Sequence, residues 1–180
     1  AEESEEAEEE ARTFLKIIED SSSYMFGYNH ATGYSMVTYL CAYMRYYHPL
    51  EFISAYLNSA KTDEDIANGV KLAGDYGIKV FPIKWGKSRA EYFFDPDSRA
   101  IYEGCGAVKW MNNQVANDLY ELSQSRNFES FTDLLYAMKD IAIDSRQLQI
   151  LITLDYFSDF GNAVELWCIS GIFDILKQGL

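Results

Sequence analysis

The sequence predicts a mainly α fold with one small β patch near its middle. Apolar residues recur at helical spacing through the first 75 residues and again from about residue 107 onward. Ser, Thr, Asp, Pro and Gly punctuate these runs where helices would start and stop. The short β-prone stretches fall between residues 78 and 104.

Taken in order, Glu2, Glu3, Glu5, Glu6, Glu8, Glu9 and Glu10 precede Phe14, Leu15, Ile17 and Ile18, which predicts a helix over 2–20 with acids at its favoured, N-terminal end. A solvated helix start is the plainer reading of that acidic run; a specific partner is the other. Ser21 to Ser23 and Gly27 break the pattern. A second helix, Ala31 to Tyr47, stops against Pro49, because a residue before proline leaves the helical region. Pro49 then starts a short helix over Leu50 to Asn58, where its missing N–H does no harm. Thr62 is an N-cap candidate with Asp63, Glu64 and Asp65 behind it, so a helix should run to Asp75 and end near Gly77. Ile78 to Ile83, Glu91 to Asp95 and Ala100 to Tyr102 read as a small sheet, with a turn at Asp95-Pro96-Asp97. After Gly104 and Gly106, helices are expected near 107–123, 129–139, 144–154 and 161–177. This divides the chain into 1–60, a connecting 61–104 and a helical 105–180.

Of the 180 residues, 48% are hydrophobic, enough to bury a core in one domain or two small ones. No stretch approaches the roughly 20 apolar residues of a membrane span, and the N-terminus is acidic where a signal peptide is basic. Cys41, Cys105 and Cys168 lack CxxC spacing and read as reduced thiols of a cytoplasmic protein, with no disulfide, zinc or membrane expected. The opening Ala inside a Glu-rich pattern suggests a segment of something longer. The net charge of −13 weighs against autonomous nucleic-acid binding, since Lys and Arg supply most of the affinity for phosphates. More than half of that charge sits in the first 20 residues, where nine acids face only Arg12 and Lys16.

No enzymatic motif is present: there is no phosphate loop, HExxH or GxSxG, and His30 and His48 are the only histidines. Asp63 and Asp65 could in principle hold Mg²⁺, but behind Thr62 they read as capping charges, so neither a catalytic residue nor a metal is assigned. Tyrosine is the unusual feature, with eight of fourteen between Tyr24 and Tyr56. Tyr39, Tyr43 and Tyr46 share one helix face, either to stack on bases or to form an aromatic core or interface; the interleaved Met and Leu favour the second. His30 fits a structural histidine by composition. With Asn29 and Tyr34 at a helix start, it also makes an anion site.

The run Tyr24-Met25-Phe26-Gly27-Tyr28-Asn29-His30-Ala31-Thr32-Gly33-Tyr34 resembles the fingers signature Y-G-F-N-K-S-H-A-x-A-Y of bacterial DNA polymerase III alpha subunits, the C-family replicative polymerases. The likeness continues through Tyr39 to Phe52 (Y-Q-x-A-Y-L-K-x-x-Y-P-x-E-F), Gly77 to Pro82 (G-I-K-V-L-P-P) and Gly104 to Lys109 (G-L-G-A-I-K). Asp144 to Gly161 resembles N-K-R-x-x-E-x-L-I-x-A-G-A-F-D-x-L-G. The resemblance implies a helical end of the fingers over 1–60, the β patch and connecting helix over 61–104, and a tandem helix-hairpin-helix-like module over 105–180. It also implies nucleotide contact by Asn29, His30 and Tyr34, and DNA-backbone contact by Arg45, Lys109 and Arg146. The implied partners are primer-template DNA, a deoxynucleoside triphosphate, other polymerase domains and replisome subunits.

By the same resemblance, the Mg²⁺-binding palm aspartates of the nucleotidyltransferase lie outside this chain, so no cofactor is expected within it and it is non-catalytic alone. The departures have physical content. The family's signature lysine is Tyr28 here, which removes one phosphate-binding cation. The hairpin Gly-Val-Gly is Trp110-Met111-Asn112, and Ala-Gly-Ala-Phe is Leu154-Asp155-Tyr156-Phe157. Glycines let a hairpin backbone approach phosphates; Trp and Met obstruct it. The competing expectation is therefore a degenerate helical protein-interaction module that binds no DNA.

Overall fold

The computed structural model describes residues 2–22 and 27–178 of the chain. Ser23 to Phe26, including the Tyr24, Met25 and Phe26 that open the fingers-like run, lie outside the described residues. The mainly α expectation holds. Among the described residues are α1 (Glu2–Ser22), α2 (Tyr28–Tyr47), α3 (Pro49–Ser59), α4 (Asp63–Asp75), α5 (Asn113–Ser125), α6 (Phe131–Ala137), α7 (Ser145–Thr153) and α8 (Ala163–Gln178). Three strands, β1 (Lys79–Phe81), β2 (Phe93–Asp95) and β3 (Ala100–Tyr102), form one sheet in the order β1-β3-β2. The chain falls into two compact units, Ala1–Tyr43 and Met44–Leu180.

In the first unit, α1 carries an exposed Glu8–Arg12 pair at 2.9 Å. The Gly27 carbonyl accepts the His30 and Ala31 amides to start α2, and the Thr32 and Ser35 hydroxyls donate back to the carbonyls of Tyr28 and Ala31 at 2.8 Å. No residue of α2 is buried. The tyrosine face at Tyr39, Tyr43 and Tyr46 is thus a surface and not part of a core.

In the second unit, Pro49 occupies the first turn of α3, and Thr62 caps α4 through a reciprocal capping box with Asp65. The Asp65 amide donates to Thr62 Oγ1 at 3.1 Å, and the Thr62 amide donates to Asp65 Oδ2 at 3.2 Å. The Thr62 hydroxyl also donates to Asp65 Oδ2 at 2.8 Å, and this bond, followed by those from the Lys61 and Thr62 amides, holds the Asp65 carboxyl below its ordinary pKa. Ile53, Leu57, Ala73, Ile78 and Ile101 bury a small core between α3, α4 and the sheet. Strand β3 is central, pairing parallel with β1 (Val80 opposite Ile101) and antiparallel with β2 (Phe94 opposite Ile101).

A larger core gathers Trp85, Cys105, Leu119, Phe131, Leu134, Leu151, Ile152, Tyr156, Phe157 and Leu166 from the segment after β1 and from α5 to α8. Gly104 and Gly106 make this packing possible. Gly106 donates its amide to the Ala90 carbonyl at 2.8 Å, and a Cβ on Gly104 would stand 2.5 Å from that same carbonyl oxygen.

The boundary that differs most from the sequence reading is the start of α5; α2 also begins earlier, at Tyr28 rather than Ala31. The helix expected near 107–123 begins only at Asn113, because Cys105–Ala107 forms a tight 3-10 turn and Trp110 adopts a positive φ of 72°. Asn112 then caps α5, its side chain accepting the Gln114 amide at 2.8 Å.

Candidate nucleic-acid interface

Two of the residues expected to meet DNA, Lys109 and Arg146, converge on one indole. The turn after Cys105 carries Lys109 and Trp110; the start of α7 carries Arg146 and Gln147. The Arg146 guanidinium stands 4.6 Å and the Lys109 ammonium 5.2 Å from the Trp110 ring centroid. Gln147 locks the arrangement. It completes a capping box with Asp144, donating its amide to Asp144 Oδ1 at 2.7 Å and accepting the Asp144 amide at 3.1 Å, while its Nε2 donates to the Trp110 carbonyl at 2.9 Å.

Beside this cluster opens a cleft of about 700 Å³, floored by Ile83, Val108, Ile150 and Leu154 and walled by Trp110 and Trp167. Such a volume lies within the range of small-ligand sites. Glu103 is the acid among its lining residues, and burial raises its carboxyl above the ordinary carboxylate range. Among the described residues, neither Lys109 nor Arg146 has a carboxylate within ion-pair distance. A strongly acidic chain thus presents a local pair of uncompensated cations here.

The second turn, after α7, differs in character. Asp155 takes a positive φ of 57°, and Asp159 pairs with Lys84 at 2.9 Å, so this turn offers carboxylates where the first offers cations. Asn29, His30 and Tyr34 occupy the first turns of α2 and are exposed, with the His30 and Tyr34 rings edge to face at 4.4 Å. Arg45 is exposed in the last turn of the same helix, separate from the Trp110 cluster in the described contacts. Trp110, Gln147, Glu103 and Trp167 were not legible as a group from the sequence. The available signal was a tryptophan directly after Lys109, where the family-like pattern has glycine.

A family model described as the helix-hairpin-helix motif matches residues 77–165, which include both turns and Glu103, Lys109, Trp110, Arg146 and Gln147. The chain is 29% identical over 161 residues to the DNA polymerase III subunit alpha of Thermus aquaticus, covering 88% of this chain and 13% of that protein. It is related in sequence to part of a DNA polymerase III alpha subunit. The corresponding Campylobacter jejuni protein is 29% identical over 154 residues, covering 84% of this chain and 13% of its own length. That of Mycobacterium tuberculosis strain H37Rv is 33% identical over 148 residues, covering 79% and 12%. The chain therefore spans about 13% of the length of the first of these alpha-subunit relatives. Among the described residues, no helix is long and apolar enough to cross a membrane.

Proposed function

We infer that this chain supplies nucleotide and primer-template DNA contacts within a replicative polymerase alpha subunit and performs no phosphoryl transfer by itself. The observation that carries the reading is the meeting of Lys109 and Arg146, 37 residues apart in sequence, over one exposed ring inside the helix-hairpin-helix match. Two cations without carboxylate partners, one on the turn and one at the start of α7, suit successive backbone phosphates, the guanidinium by its fork and the ammonium as a point charge.

Within this reading, residues 1–60 form the end of the fingers, 61–104 the connection and 105–180 the duplex-binding module. Asn29, His30 and Tyr34 meet the triphosphate of the incoming nucleotide, and Arg45 meets the DNA backbone. The Mg²⁺ that phosphoryl transfer requires would be held by carboxylates of the remaining polymerase domains. Those domains, and replisome subunits in the cytoplasm, are the protein partners.

The net charge of −13 and the wholly exposed aromatic helix α2 favour a second reading, a protein-interaction module that binds no DNA. Binding of primed DNA to the purified chain, titrated from low to moderate salt, separates the two. A measurable affinity that falls linearly in log–log form with salt supports DNA contact. No binding even at low ionic strength favours the interaction module.

A further inference from the structure

The cleft beside Lys109 and Arg146 has a feature that phosphate contact alone leaves unused. Trp110 is 57% exposed although its carbonyl, its ring and both flanking cations are fixed in place. Its φ of 72° is a strained conformation for a residue with a side chain, so the turn holds an indole where a glycine would be easier. An exposed indole here leaves a duplex backbone less room than a glycine would to reach the turn's amides. A flat aromatic ligand, by contrast, gains from it. Trp167, 44% exposed, provides a second aromatic wall across an apolar floor.

We propose that the Trp110 cleft is a subsite for single-stranded nucleic acid, in which one unstacked base lies against the Trp110 indole while Lys109 and Arg146 hold the flanking phosphates. The inference rests on the DNA-contact reading above and names its substrate class. Three properties of the cleft select this ligand over an apolar peptide. The cations stand at the rim of the aromatic surface, where the phosphates of a stacked nucleotide would lie. Glu103, Gln149 and Thr153 supply polar groups for a base edge beside the apolar floor. The two cations without carboxylate partners stand out against the acidic chain and favour an anionic ligand over an apolar peptide at this cleft. Because every base has a π face, the subsite should tolerate sequence and discriminate strand state instead.

The test uses the purified chain with a short oligodeoxythymidylate, a blunt duplex of equal length and an abasic oligonucleotide of equal phosphate count, at low salt. Binding is followed by quenching of tryptophan emission and by anisotropy of labelled probes. The expected result is tighter binding of the thymidylate than of the duplex or the abasic strand. Trp110→Ala should weaken the thymidylate complex about 5- to 100-fold and the abasic complex much less. Trp110→Phe, which keeps an aromatic face, should restore most of the loss and guards against a folding defect. Equal affinity for thymidylate and duplex, with Trp110→Ala affecting neither, would overturn the base subsite and leave DNA contact standing. No binding of any probe would overturn the DNA-contact reading together with the subsite.

Discussion

The Gln147 side-chain amide donates a 2.9 Å hydrogen bond to the Trp110 carbonyl, so the residue that completes the α7 capping box also ties down the first turn of the helix-hairpin-helix segment. Gln147 is 8% exposed and uses its amide oxygen for the cap and its nitrogen for the turn. Gln147→Leu keeps much of the volume but orphans the Trp110 carbonyl and the Asp144 amide. It should destabilise the chain by about 1–3 kcal/mol in urea unfolding, from two lost hydrogen bonds. Gln147→Glu retains the acceptor for the Asp144 amide and loses the donor to Trp110, so a smaller loss is expected. Equal midpoints for wild type and Gln147→Leu would show that the link carries no stability.

The helices whose boundaries are local were legible in the sequence. Pro49 starts α3 and Thr62 with Asp65 starts α4 through backbone contacts within three residues, so position in the chain suffices to place them. Val80 and Ile101 likewise identify the sheet by their β-branched side chains. The start of α5 is not legible, because Ala107, Val108, Trp110 and Met111 look like the first turn of an apolar helix. What overrides that pattern is the tertiary bond from Gln147, which no window of sequence around residue 110 contains. The candidate site was legible as two separate cations; that they share a ring follows only from the packing of α7 against the turn.

Cys105 and Tyr156 make the fold sensitive to alkali. Burial pushes the Cys105 thiol up to about 12 from its ordinary 9.0 and holds the Tyr156 hydroxyl well above its usual range. Above pH 9.0 the unfolded chain releases a thiol proton that the folded chain keeps until about 12. The folded state then binds more protons, and stability falls as pH rises, by up to about 1.4 kcal/mol per pH unit for one such group. Urea midpoints should hold steady from pH 7 to 8 and decline beyond. The Cys105→Ala variant should show a shallower decline from a lower starting stability. In parallel, a thiol reagent at pH 8 should label exposed Cys41 and Cys168 quickly and Cys105 only on unfolding. Rapid labelling of three thiols in the folded chain would contradict the buried Cys105.

Two glycines should respond oppositely to the same change. A Cβ at Gly104 would meet the Ala90 carbonyl oxygen at 2.5 Å and the Glu91 Cα at 2.7 Å, both backbone atoms that cannot rotate aside. Gly104→Ala should therefore cost about 1–3 kcal/mol. At Gly74, inside α4, a Cβ meets nothing within 4 Å, and alanine restricts the unfolded chain. Gly74→Ala should stabilise by about 0.4–1 kcal/mol. Thermal melts of the two variants decide the matter, and a shift in the same direction for both would refute the packing argument.

If Lys109 and Arg146 each neutralise a phosphate, removing either should reduce the magnitude of the salt slope for primed-DNA binding by about 1. Their common contact with Trp110 adds a further expectation. Each cation stands over the ring, so deleting one lets the indole and the remaining cation settle into a new position. Lys109→Ala and Arg146→Ala should then be non-additive in DNA affinity, because sites that share a partner couple by about 0.5–3 kcal/mol in a double-mutant cycle. Arg45→Ala should instead lower the slope and combine additively with either variant, since Arg45 lies on α2 and takes no part in the Trp110 cluster. The three single variants and the three pairwise combinations, measured at several salt concentrations, separate these cases. A slope unchanged by Lys109→Ala and Arg146→Ala would remove both residues from the DNA interface; altered slopes with strict additivity would keep them there as independent contacts and deny that Trp110 links them.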